Sequence, residues 1–323
     1  MDYPPDLYRV HVVADNCTDG TAAVAVRFGA SAHERFDDRH RGKGAALNWL
    51  IPRVLAGDTA ADLVFVDADT RVSSNLLRAF GRELDGGAQV VQGLNLIAPS
   101  SDRTLTTLRA LAFHLVCHVR PLAYQRLGVS VGLHGNGMSF RRDLVERLAW
   151  DEQVGVEDAA LHLRLVRSGV VVRFARDAIV RSVVPDTLRG AHGQTVRWER
   201  GKFDLFRSGV AIVLAGLRHR DASSIVSGLD VLIPPFSVIV GAGALGLLFA
   251  VLTKDRLTLA VSLSGLGGAI CYVARGSVLA QLRGRELLQI AMFSPSFVAW
   301  KLVVYGQVAL GAGRGQWVRA RRA

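Results

Sequence analysis

Two carboxylates one residue apart, Asp67 and Asp69, follow the apolar run Leu63-Val64-Phe65-Val66. A run of β-formers that ends in D-x-D puts both acids where an open α/β sheet presents its ligands. There one oxygen can meet a divalent cation and another a ribose, and the cation can neutralise a diphosphate leaving group. The same three residues also make an ordinary solvated turn, so the strand before them decides their weight. Asp158, preceded by Glu157, opens the helix-like segment 159–166. Acids in a first helical turn complement the helix dipole. The chemical alternative for Asp158 is a general base that removes a proton from an acceptor hydroxyl.

Three further groups carry charge to the ends of elements. The strand-like stretch YRVHVVA, residues 8–14, runs into Asp15-Asn16-Cys17-Thr18-Asp19-Gly20, so Asp15 stands at the carboxyl end of a strand. Arg41-Gly42-Lys43-Gly44-Ala45-Ala46-Leu47-Asn48 is a glycine-flanked cation opening a helix, a geometry suited to phosphate. It is not a P-loop, because the first glycine of that spacing and the following Ser or Thr are absent. In Gln194-Thr195-Val196-Arg197-Trp198, Arg197 can contact phosphate with both guanidinium nitrogens and Trp198 can offer a sugar a flat apolar face. Arg beside Trp is equally a common anchor at a membrane interface.

The elements that must hold these residues change character along the chain. Up to about residue 205, short apolar runs alternate with Gly-rich and helix-like stretches, which predicts an α/β domain. Beyond it, residues 231–252 form 22 positions without a charge, and residues 257–274 form a second, Gly-rich run of 18. A third run, 287–310, contains Pro295 and Lys301 and is expected to span, re-enter or lie at the interface. Two or three membrane helices follow from these runs. Lys plus Arg number 39 against 28 Asp plus Glu, a net charge of +11. Such a balance suits an anionic partner, and the cations clustered around the apolar runs give it a membrane explanation and set nucleic acid aside. Cys17, Cys117 and Cys271 are too few and scattered for a disulfide framework or metal knuckle. Residues 1–9 lack the apolar run of a secretory signal, so the catalytic part is expected in the cytoplasm.

Taken in order, VVADNCTDGTA, RGKGAALN, VFVDADT, HGNGMSFRR, GVEDAALHLRL and QTVRWERGKF, followed by apolar helices, resemble a membrane-associated family 2 glycosyltransferase of the cellulose and hyaluronan synthase-like group. The tail is similar as well. Trp300-Lys301 through Tyr305 and Gln316-Trp317-Val318-Arg319 resemble the W-K-x-x-x-Y and W-x-R-T endings of that group, with Ala320 at the last Thr.

The resemblance implies a nucleotide-diphospho-sugar transferase fold, Rossmann-like and of the GT-A type, over residues 1–205. An interfacial helix, two or three transmembrane helices and a basic tail would occupy 206–323. It also implies that Asp15 contacts the donor nucleoside and Lys43 its nucleotide portion. Asp67 and Asp69 become the D-x-D pair, with Asp69 the first ligand of Mg2+ or Mn2+, and Asp158 the base. Gln194 and Arg197 would hold the diphosphate, and Trp198 and Glu157 the acceptor. The implied reaction is inverting transfer from a nucleotide-diphosphate sugar, a UDP-sugar or GDP-mannose, to a polysaccharide or lipid-linked acceptor. It would take place at the cytoplasmic face of the inner or plasma membrane. One departure stands out: the family's catalytic domain begins with a strand ending in a P-x-x-N-E-like motif, and residue 1 aligns after that strand and its helix. The sequence therefore predicts a sheet short of an internal strand, and either a start placed too late or a degenerate, catalytically inactive membrane-bound partner.

Overall fold

The computed structural model describes residues 1–98, 104–148, 150, 156–185 and 187–313. Trp317, Arg319 and Ala320 of the tail lie outside the described residues. Two compact units interleave in sequence: Met1–Leu94 with Ser130–Val180, and Asn95–Val129 with Arg181–Ala323. Residues 95–129 and 181–205 group with the apolar helices.

The first unit opens with β1 (His11–Asp15), α1 (Thr21–Arg27), β2 (Ser31–Arg35) and α2 (Lys43–Gly57), followed by β3 (Asp62–Phe65) and β4 (Thr70–Val72). It continues through α3 (Leu76–Asp85) and β5 (Val90–Ile97). After the excursion into the other unit come β6 (Met138–Arg141), the short α6 (Arg142–Val145), α7 (Glu157–Arg167) and β7 (Val172–Ser182). The expected single sheet is two sheets among the described residues: β1 and β2 pair in parallel, and the other strands run in the order β3-β6-β5-β7-β4. Every residue of β5 is buried, as its apolar run VVQGLNLI requires of a central strand. Helix α3 covers it with Leu76, Ala79, Phe80 and Leu84, a spacing of i, i+3, i+4 and i+8 that puts four apolar groups on one face. Burying Phe80 or Leu84 stabilises this layer by about 1.5–3 kcal/mol each. By contrast α1 buries none of its residues.

The second unit begins with α4 (Thr104–His114), a π-helical turn at Leu115–Val119 and α5 (Arg120–Arg126). It resumes with α8 (Leu188–Asp204), α9 (Phe206–His219) and α10 (Ala222–Leu232), then α11 (Phe236–Thr253), α12 (Arg256–Leu279) and α13 (Gly284–Ala309). The last three are long and apolar enough to cross a membrane, at 18, 24 and 26 residues. Asp255 caps α12 by accepting from the backbone N–H groups of Leu257 and Thr258 at 3.1 and 3.3 Å. The third apolar run is one continuous helix through Pro295. Helices α9 and α10 form a tight hairpin because a Cβ on Gly228 would lie 2.7 Å from the carbonyl oxygen of Gly209.

Candidate active site

Antiparallel pairing of β3 with β6 sets Phe65 opposite Met138. The residues after β3 and the loop before β6 therefore meet at one sheet end, and that register builds the site. Asp67 donates its backbone N–H to Asn136 Oδ1 at 3.0 Å, and Asn136 Nδ2 donates to Thr70 Oγ1 at 2.9 Å. Asn136 is thus a buried clip across the Asp67-Ala68-Asp69 turn. The loop His134-Gly135-Asn136-Gly137 can curve this way because both glycines have left-handed backbones, φ +72° and +64°.

Gln92, fully buried on β5, holds the loop from below. Its Nε2 donates to the carbonyls of Gly93, Asn136 and Gly137 at 2.9, 2.9 and 3.1 Å, and its Oε1 accepts from His134 N at 2.9 Å. A buried polar group so fully paired fixes geometry without leaving an orphan.

Lys43 is the first residue of α2, after Gly42 at φ +117°. Its ammonium donates to Asp67 Oδ1 at 2.5 Å and to the carbonyl oxygen of Gly135. Gly135 also backs onto Asp158, since a Cβ there would lie 3.1 Å from Asp158 Oδ2. Asp158 lies in the first turn of α7 beside Glu157, and its Oδ1 accepts from Ala159 N at 2.8 Å. Burial, and after it the Glu157 carboxylate, push the Asp158 carboxyl up to about 6 against the opposing pull of Lys43. One carboxylate and one ammonium therefore share a loop with a second carboxylate of raised proton affinity, the pairing expected where proton transfer and anion binding work together. Asp69 lies half-buried in the same turn as Asp67.

Asp15 occupies another polar cluster of this unit. As the last residue of β1 it accepts from Arg35 Nη1 at 2.5 Å, and the buried Arg35 also bonds Asp37 Oδ2 and His40 O at 3.0 and 2.8 Å. Gln194, Arg197 and Trp198 belong to the second unit, on α8. There Gln194 Oε1 accepts from Arg109 Nη2 at 3.1 Å, Arg197 has a buried Nε with no partner among the described residues, and Trp198 packs near Phe113 with ring centroids 6.3 Å apart.

The sequence motifs gave no role to Asn136, Gln92 or Arg109. For Asn136 the signal was present as Gly-Asn-Gly before a strand. The buried Gln92 and Arg109 sit in apolar runs with nothing local to mark them.

The sequence profile described as "Glycosyl transferase family group 2" matches residues 63–302, most of the chain, including Asp67, the Gly135–Gly137 loop and Asp158 but not Lys43. The chain belongs to this family. Among curated relatives, an N-acetylglucosaminyltransferase of Rhizobium meliloti (strain 1021) is 29% identical over 218 residues, 63% of this chain and 50% of the relative. An N-acetylglucosaminyltransferase of Rhizobium leguminosarum bv. viciae is 25% identical over 259 residues, covering 76% and 60%. A beta-monoglucosyldiacylglycerol synthase of Nostoc sp. is 27% identical over 181 residues, 51% of this chain and 36% of the relative. The chain thus spans about half the length of the curated relatives it matches. Among solved structures, a mannosyltransferase from Pyrobaculum calidifontis in complex with GDP-Man and Mn2+ has a TM-score of 0.54 at 20% identity, covering 97% of this chain and 81% of that one. That likeness shows the family 2 glycosyltransferase fold, α/β and GT-A-like, followed here by three apolar helices that could span a membrane.

Proposed function

We propose that the chain is an inverting glycosyltransferase. It moves a sugar from a nucleotide-diphosphate sugar, a UDP-sugar before GDP-mannose, to a polysaccharide or lipid-linked acceptor at a membrane. The observation that supports this most is the convergence of Lys43, Asp67, the Gly135–Gly137 loop and Asp158 at one sheet end.

In this reading Asp158 takes the proton of the acceptor hydroxyl while that oxygen attacks the anomeric carbon. The carbon–oxygen bond to the diphosphate breaks, and its electron pair leaves with the nucleoside diphosphate. A carboxyl at about 6 is ionised at neutral pH yet basic enough to accept the proton. Lys43 balances the charge that develops on the diphosphate. Asp15 holds the nucleoside, Gln194 and Arg197 the diphosphate, and Glu157 and Trp198 the acceptor. Residues 1–205 form the catalytic segment, and the three apolar helices hold it to the cytoplasmic face of the inner or plasma membrane.

The residues present fit a hard divalent cation. Asp67 and Asp69 offer carboxylate oxygens, and Mg2+ or Mn2+ at nucleotide sites takes one or two carboxylates plus phosphate oxygens. Asp69 would be the first ligand, as the resemblance to the family's D-x-D pair implies. A bound cation would supply charge neutralisation to the leaving diphosphate. The Mn2+ in the Pyrobaculum calidifontis complex supports this choice of metal.

The test is donor binding and transfer by the membrane-embedded chain with Mn2+ and a panel of nucleotide sugars, N-acetylglucosaminyl donors first. Asp69→Ala should remove metal-dependent donor binding. Asp158→Asn should keep donor binding and lower transfer by about 10²–10⁴-fold. Equal transfer by wild type and Asp158→Asn would refute the base. Failure to bind any donor with Asp67 and Asp69 intact would favour an inactive partner that retains the fold.

A further inference from the structure

A cavity of about 1090 Å³ opens within the second unit, between α4, the π-helical turn, α8 and the three apolar helices. Its exposed wall is mostly carbon, from side chains such as Leu108, Phe113, Phe236, Ile270 and Phe297. Several of its polar side chains are spent on the protein itself, while Ser237 Oγ and Glu199 Oε2 are buried with no partner among the described residues. Thr195, Ser277 and Ser294 donate back to the carbonyls of Ala191, Val273 and Ile290 in their own helices at 2.9, 2.9 and 2.6 Å. Tyr272 donates to Leu115 O at 2.6 Å, and Lys301 pairs with Glu199 Oε1 at 2.6 Å. A glycan in this space would lose water from its hydroxyls and find few groups to replace it, whereas an alkyl chain would lose nothing.

The charge at the α8 side of the cavity points to the head of the occupant. Arg109 is 7% exposed, and among the described residues its guanidinium donates only to neutral oxygens, Pro185 O at 2.8 Å and Gln194 Oε1 at 3.1 Å. Among the described residues no carboxylate pairs with it or with Lys202, which also lines the cavity. A buried cation without a counter-charge is costly unless an anion arrives to meet it.

We infer that this cavity binds a long-chain lipid phosphate bearing a sugar hydroxyl, its chain among the apolar helices and its phosphate at Arg109 and Lys202. The inference rests on the proposed transferase reading and narrows its acceptor to a lipid-linked one. Gln194, bonded to Arg109, ties the phosphate end of the cavity to the Gln194–Trp198 element.

Trp198 and Trp300 line the cavity and serve as reporters. The full chain in nanodiscs of uncharged lipid is titrated with an alkyl phosphate brominated at its chain end, the matching bromo-alkanol and a soluble oligosaccharide. Tryptophan quenching is read for each, and nucleotide-sugar binding is read separately by calorimetry. The phosphate should bind at least tenfold more tightly than the alkanol, and quenching should vanish in W198F/W300F. Arg109→Gln or, should that variant fail to fold, Lys202→Gln should erase most of the preference for phosphate. Ala112→Phe, which fills the cavity, should weaken both brominated ligands at least tenfold and leave nucleotide-sugar binding unchanged. Equal quenching by phosphate and alkanol would overturn the inference, as would displacement of the alkyl phosphate by the oligosaccharide. Loss of nucleotide-sugar binding in the wild type would instead count against the transferase reading.

Discussion

The two units solve the problem of placing a charge in opposite ways. In the first, Asp67 and Asp158 are held by backbone: Asn136 and Gln92 read main-chain N–H and carbonyl groups, and glycines let the loop come close enough to be read. In the second, Glu199 and Lys301 sit as an isolated pair in apolar packing and Arg109 meets only neutral oxygens among the described residues, while Arg120 and Asp230 are tied in by Tyr272 and Tyr124. The difference teaches where a lost partner hurts. A network with several bonds per member shares the damage, while an isolated pair leaves a bare charge.

The sharpest break in that comparison is therefore Glu199→Gln. Glu199 and Lys301 are 8% and 16% exposed, and the substitution strands a buried ammonium. Unfolding in detergent should show a loss of about 3–5 kcal/mol. The double variant Glu199→Gln/Lys301→Met should recover most of it, since replacing a whole buried pair with apolar groups is often neutral. If the single and double variants are equally destabilised, the pair is not an isolated unit and the contrast with the first unit fails.

Asp158 sharpens the other side. Its carboxyl is about 6 when folded and 3.8 as an unperturbed side chain, so the native state holds the proton more tightly than the unfolded chain. The sign follows: folding stability is greatest with Asp158 protonated, below about 3.8, and falls as pH rises through about 6. Asp158→Asn removes that dependence. The variant should gain on the wild type between pH 4 and 6 and hold an advantage of about 3 kcal/mol above it. With Asp158 as the proposed base, transfer by the wild type should move oppositely, falling about tenfold per pH unit below 6 as it is protonated. A flat stability difference across that range would mean that Asp158 is solvated in the folded protein. The proposed mechanism needs Asp158 ionised, and stability lost at such a group is the trade expected at an active site.

What could be read in advance follows the same division. The strand-end acids Asp67 and Asp69, the helix-opening Lys43 and the helix-start pair Glu157 and Asp158 were legible because each owes its place to a local element. The apolar helices were legible because length and composition alone define them, and α13 absorbs Pro295 with no local sign that it would. Partners across the fold were not legible. Asn136 meets the N–H of Asp67 from 69 residues away, and Gln92 meets the carbonyl of Asn136 from 44. Such bonds depend on which strand lies beside which, and hydrophobic periodicity is silent on that. The division of the strands into two sheets was hidden for the same reason.

Asn136→Ala probes the smallest of these effects. It removes the acceptor for Asp67 N and the donor to Thr70, but Lys43 still holds Asp67 Oδ1 and Gln92 still holds the carbonyls of residues 136 and 137. Stability should fall by about 1–3 kcal/mol, the cost of one buried donor left without a partner. Activity should fall further than stability, because the freed Asp67-Ala68-Asp69 turn no longer presents both carboxylates together, so donor binding should weaken more than maximal transfer. Asn136→Asp restores an acceptor for the Asp67 N–H but adds a third carboxylate to the turn. It should rescue stability better than donor binding, separating the hydrogen bond from the charge balance around Asp67. A variant with full donor affinity despite losing the clip would show that Lys43 alone positions Asp67, and the shared network of the first unit would reduce to a single ion pair like Glu199–Lys301 in the second.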